Sequence, residues 1–334
     1  MTFLKNNKVA FIQLGVWLLL LGLNVLIGKF EFGYVFYNSI QSLFARYGFL
    51  ALAMIATVKT SAGLNFGLPI GYLCGHTAVI FATARDLAGI GWLLMSLAIA
   101  LVSASIVGFC YGKLITKIKG SGGTNVMLTF FMGIAVAPIM NFIYLILRFK
   151  NSEVMLPRGI GLRNQIMLPG GIIGNFLSFK VGSITMPVGL ILIFAVVSFI
   201  VWYFLLREKR VAVTVDRSKY TVIAAMISTA IGAIAAIIYA QNTGIIITYS
   251  ASAHTLHIAT AVLLGGATLK KAGIRQAIMG VLLFSALSMF LGMPLIQLIG
   301  NQELRGYMQV AIIYLIPVCA LLRLLWWRKV DGEI

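Results

Sequence analysis

An all-α, polytopic membrane protein is the fold class this sequence predicts, and three observations predict it. Of its 334 residues 60% are hydrophobic and 10% charged, with a mean hydropathy of +1.00, well beyond soluble domains. The apolar residues come in runs of roughly 20, the length that crosses a bilayer as a helix. The 26 lysines and arginines gather in short clusters between those runs, as membrane topology demands and as a nucleic-acid surface with interleaved aromatics would not. The formal charge of +18 therefore implies a lipid bilayer as partner and no nucleic acid.

Taken in order, the runs give ten segments in one domain spanning 1–334. Lys5 and Lys8 precede an uncharged stretch that supplies the first, 10–28; with no small-x-small cleavage site it is expected to be retained. Lys29 and Glu31 separate it from 39–58, and glycines and a proline separate that from 66–84. Arg85 and Asp86 precede 91–112, and Lys113, Lys117 and Lys119 lie between it and 124–147. A connection at 148–180 carries Pro157, Pro169 and five glycines, too polar and broken to span; it reads as a lid, a docking surface or a linker. The segments 181–206 and 220–240 flank a charged loop at 207–219, and 248–265, 276–299 and 307–327 complete the set.

Alternating these segments across a bilayer puts 17 lysines and arginines on one side and 8 on the other, with Arg46 near a helix end. The richer side is the cytoplasmic one, so both termini are expected there and 148–180 outside. All eight acidic residues fall in loops or tails, and Cys74, Cys110 and Cys319 fall within spans, as small packing residues rather than disulfide partners or a metal cluster.

The stretch Ser61-Ala-Gly-Leu-Asn-Phe-Gly-Leu-Pro-Ile-Gly71 organises the rest. It reads either as a cytoplasmic loop or as a broken membrane segment, whose backbone N–H and C=O groups must be satisfied by protein or by a water-filled cavity. Ala261-Val-Leu-Leu-Gly-Gly-Ala-Thr-Leu-Lys-Lys-Ala-Gly273 echoes it, and the helices before the two breaks cross in opposite senses, the pattern of inverted repeats around a midplane path.

No phosphate-binding loop, nucleophile elbow or carboxylate pair is present, so no enzyme activity or cofactor is expected of the chain itself. His76, His254 and His257 lie beside the two breaks, where a polar side chain either lines a path or bonds a neighbouring helix. His254 and His257 share a helix face, as metal ligands sometimes do, yet no third ligand accompanies them. Asn65, Asn125 and Thr129 carry the same two readings; Phe66, Tyr72 and Phe131 either pack or stack on a flat ligand face, with Phe66, inside the break, the one chosen for stacking.

Four stretches resemble one family. Ser61-Ala-Gly-Leu-Asn-Phe-Gly67 is similar to the S-G-G-I-D-L-S-V-G stretch of permease subunits of bacterial ABC importers for ribose, galactosides, autoinducer-2 and, more distantly, branched-chain amino acids. Gly108-Phe-Cys-Tyr-Gly-Lys-Leu-Ile-Thr-Lys-Ile-Lys119, Asn125-Val-Met-Leu-Thr-Phe-Phe-Met-Gly133 and Val262-Leu-Leu-Gly-Gly-Ala-Thr-Leu269 resemble further family runs in the family's order. Asn65-Phe-Gly67 also resembles the N-I-G of its nucleoside-transporting branch.

The resemblance implies a subunit of the bacterial inner membrane that moves a simple sugar, or a nucleoside, inward by ATP-driven alternating access. ATP and magnesium would sit on a separate cytoplasmic ABC ATPase, and an extracytoplasmic solute-binding protein would deliver the solute. An ion-coupled secondary transporter is the reading from another class. The family's longer coupling loop is replaced here by 207–219, so Arg207, Lys209, Arg210, Asp216, Arg217 and Lys219 stand where ATPase contact would fall. That shortening implies a heterodimer, in which a different permease protomer makes the larger contact.

Overall fold

The computed structural model describes residues 2–60, 63–117, 122–151, 153–157, 159–168, 178–181, 184–207, 217–249, 253–268 and 272–292, with scattered positions from 294 to 315. It is mostly helical. The chain runs through α1 (Thr2–Gly28), then α2 (Phe32–Gln41), which passes through a π-helical turn (Ser42–Tyr47) into α3 (Gly48–Ile55) as one rod. Glycine permits that turn, because a Cβ at Gly48 would lie 1.9 Å from the carbonyl oxygen of Leu43. After a non-helical stretch come α4 (Leu68–Ala84), α5 (Gly89–Lys117) and α6 (Gly122–Ile146). The second half holds α7 (Val188–Ile200), extended by a π-helical turn (Val201–Leu206), then α8 (Arg217–Thr243), α9 (Ala253–Leu264) and α10 (Ile274–Phe290).

Among the described residues five helices are long and apolar enough to cross a membrane, within α1, α5, α6, α7 with its extension, and α8. Ten such segments are expected from the sequence. The glycine-rich breaks shorten several: α4 and α10 have 17 residues and α9 has 12, below the roughly 20 needed to cross alone. The segment expected at 307–327 lies almost wholly outside the described residues.

Burial separates the helices into two kinds. The apolar stretches of α1, α5 and α6 are only 22% buried and present Leu19, Val102, Ile106, Ile139 and Phe142 outward, as lipid-facing helices do. By contrast α8 is 67% buried, and nearly every residue of α4 is buried. A helix that is apolar all round belongs in the middle of a bundle. Small residues permit the approach: Gly71 and Gly75 of α4 lie against Thr229 and Ala233 of α8, and Gly108 and Gly112 of α5 lie against α8 at Met226 and Val222. This is the small-x-x-x-small packing of membrane helices, in which backbones meet directly. The run at 108–119 thus has a packing reason for its two glycines.

One end of the bundle carries a two-stranded antiparallel ladder. Strand β1 (Gln165–Met167) pairs with β4 (Ile245–Ile247), in register Gln165↔Ile247, Ile166↔Ile246 and Met167↔Ile245. A second small ladder joins β2 (Ser178–Val181) to β3 (Ile184–Pro187). The sequence reads 148–180 as a connection and places 245–247 beside a span; the structure joins the two. Leu162 N donates to Tyr144 O, Gly161 N to Leu147 O, Thr248 N to Asn164 O and Leu168 N to Gly244 O, so this connection is fastened to the ends of α6 and α8.

Candidate functional site

The first break is held by the protein itself. Where α3 ends at Ile55, Asn65 N donates to Met54 O at 2.9 Å and Thr57 Oγ1 donates to Gly63 O at 2.7 Å. The Asn65 side chain is buried and used at both ends: Nδ2 donates to Ser228 Oγ of α8 at 2.7 Å, and Oδ1 accepts from Tyr111 of α5 at 2.8 Å. Ser228 passes its own proton to Ala53 O at 2.6 Å. Ser228 lies 11 positions into α8 and Tyr111 6 positions from the end of α5. At 1.5 Å per residue the junction therefore sits about 16 Å and about 9 Å inside those helices. The break lies within the helical layer, with its polar groups bonded by side chains.

Around that junction Phe66 is half-buried, its ring edge-on to Phe130 of α6 at 6.0 Å, and Thr129 is buried and hydrogen-bonded to Tyr111. Asn125 lies in α6, but its side chain is outside the described residues. Asn65, Phe66 and Thr129 thus form one cluster.

The histidines form another, toward the ladder end. The Tyr72 ring lies 4.7 Å from that of His254, tilted by 42°, His254 lies 4.9 Å from Tyr239, and His76 lies 5.6 Å from Tyr72 and 6.3 Å from Tyr144. These distances fall within the range of favourable ring contacts. Tyr239 continues to Tyr47, then Phe284, then His257, each step 5.9–6.3 Å. All three histidines are therefore joined by a single chain of rings through the bundle. Tyr144 shares a 2.6 Å hydrogen bond with Thr77.

Between these rings is a cavity of about 70 Å³, lined by Tyr72 and His76 of α4, Tyr239, Ala240 and Thr243 of α8, His254 of α9 and the three isoleucines of β4. That is room for a few waters. Its described lining includes no acid, lysine or arginine. His76 is 2% exposed, and its Nδ1 is buried without a hydrogen-bond partner among the described residues. Arg46 stands nearby in the π-helical turn, donating to Asn242 at 3.0 Å and to Asn38 at 3.5 Å.

Tyr111 and Tyr239 are the site residues that pattern reading does not single out, because an aromatic within an apolar run reads as packing. Among the described residues no three of His, Cys, Asp or Glu come together as metal ligands. Of the residues in the 207–219 loop, Arg207 lies over the rings of Trp202 and Tyr203 at 5.8 and 5.7 Å, and Arg217 opens α8, with Lys219 exposed in its first turn. Lys209, Arg210 and Asp216 lie outside the described residues.

Comparison of the chain with protein-family models, with curated proteins and with solved structures gives no match.

Proposed function

We propose that this chain is the membrane-spanning permease subunit of a binding-protein-dependent ABC importer, moving a simple sugar or related small polar solute such as a nucleoside inward. The observation that carries the reading is the cavity that Tyr72, His76, Tyr239 and His254 line within an apolar bundle. A buried polar group without a partner costs about 1–3 kcal/mol, and polar side chains at such depth ordinarily mark a solute path. The absence of charge from the described lining favours a neutral solute over an ion-coupled carrier, which ordinarily keeps an acidic relay in the membrane.

On this reading the chain has ten segments related as inverted repeats, lies in the bacterial inner membrane and keeps both termini in the cytoplasm. ATP and magnesium act on a separate ATPase, and a solute-binding protein serves the outer face. The short 207–219 loop leaves the larger ATPase contact to a second, different permease protomer.

Affinity isolation of the tagged chain from its native membranes should recover an ABC ATPase and a second permease as stoichiometric partners. The purified chain alone should hydrolyse no ATP. Recovery of a fully active complex with two copies of this chain and no other permease would overturn the heterodimer. Solute uptake by the chain alone, driven by an ion gradient, would overturn the importer.

A further inference from the structure

The ring-lined cavity has one wall that is not helix. Its α4 and α8 walls are fixed: α4 is almost wholly buried and meets α8 backbone to backbone at Gly71 and Gly75, so separating them would open the core. The non-helical wall is β4, with β1 beyond it. Ile246 and its partner Ile166 are buried, whereas Gln165 and Met167 on the outer side are exposed, Met167 at 82%. A two-stranded ladder has little stability of its own, and local opening occurs where few buried contacts must be broken.

Size makes such opening necessary. At about 70 Å³ the cavity is less than half the roughly 150 Å³ that admits a benzene ring. The form seen here is closed to any ring-sized solute. The ladder is also tied into one piece: Thr248 Oγ1 donates to Arg163 O at 2.6 Å and the Tyr249 hydroxyl to Leu162 O at 3.0 Å, besides the strand pairing. Lifting it as a unit breaks the bonds of Leu162 N to Tyr144 O and Gly161 N to Leu147 O.

We propose that the cavity between Tyr72, His76, Tyr239 and His254 is a binding site within a single protomer for a small uncharged polar solute, admitted when the β1–β4 ladder lifts. The solute's ring lies against the Tyr72 and His254 faces, and His76 Nδ1 bonds one of its polar groups. This deepens the transport reading and rests on it for the solute's passage onward. The site and its gate are testable without any partner chain.

Thr248 N→Asn164 O and Leu168 N→Gly244 O mark the bonded pairs, so Gln165 and Ile247 form a non-bonded pair. Such pairs have Cα atoms about 4.5 Å apart, within the range a disulfide spans. The test uses the full chain in lipid nanodiscs, with Cys74, Cys110 and Cys319 replaced by alanine and with Ala240→Cys, Gln165→Cys and Ile247→Cys introduced. Modification of the cysteine at position 240 by uncharged N-ethylmaleimide is followed by mass spectrometry of its peptide.

Oxidising the ladder pair should slow that modification roughly tenfold or more, as expected if the open form is a minor population. The same oxidant on a chain lacking Ile247→Cys should leave it unchanged. With the pair reduced, an anionic sulfonate thiol reagent should fail to react where N-ethylmaleimide reacts. Equal rates with the pair open and closed, or no reaction in either state, would overturn the gate. Equal reaction with the neutral and anionic reagents would overturn the uncharged class. If these outcomes are as expected while isolation recovers no ATPase, the site stands and the importer assignment falls.

Discussion

Gly75→Leu should leave no folded protein in the membrane, while Gly15→Leu should be close to neutral. A Cβ at position 75 would lie 2.1 Å from the carbonyl oxygen of Ala233, and 2.8 Å from its carbon, both atoms of α8 backbone. Overpacking a core costs about 1–3 kcal/mol when side chains can shift. Here neither helix backbone can yield without prising apart two largely buried helices, so the cost should exceed that range. At Gly15 of α1 a Cβ meets nothing within 4 Å. Yield of monodisperse protein in detergent, followed by thermal melting, separates the two variants. His76 and Tyr72 flank the contact, so the helix packing that Gly75 permits also positions the cavity.

Asn65→Leu should destabilise the protein by about 2–4 kcal/mol, since it leaves Tyr111 and Ser228 short of a partner inside the bundle. Asn65→Asp should not rescue it. Ser228 spends its proton on Ala53 O, so it can only accept from position 65, and a carboxylate there brings an acceptor against an acceptor and a charge into the apolar layer. Thermal unfolding of the two variants beside the parent checks both statements. An Asn65→Asp melting point equal to the parent's would show that the amide is not the donor the junction requires.

The break was legible because glycine and proline interrupt an apolar run at Gly63, Gly67 and Pro69, and α4 begins at Leu68 with Pro69 in its first turn. Sequence placed His76 and His254 beside the breaks, and the structure brings those two together in one cavity. It puts Asn65, Phe66 and Thr129 in a separate cluster.

The ladder was hidden for a physical reason. Ile245–Ile247 is a short β-branched apolar run that cannot be told from the start of a membrane helix by periodicity. Its partner Gln165–Met167 lies about 80 positions away in a polar connection. Tyr239 is indistinguishable from the packing residues around it until α8 is set against α4 and α9.

The central claim is that the histidine-lined cavity carries solute. The most direct measurement is ATP-dependent uptake of labelled ribose, galactose and uridine by vesicles holding the complete complex, comparing the parent with His76→Phe. Phenylalanine keeps a ring of similar size at this buried position while removing the unpaired Nδ1. Uptake should fall at least roughly tenfold below the parent's, the factor equivalent to about 1.4 kcal/mol, with the complex still assembled and its ATPase active. Parental uptake rates in His76→Phe would contradict it.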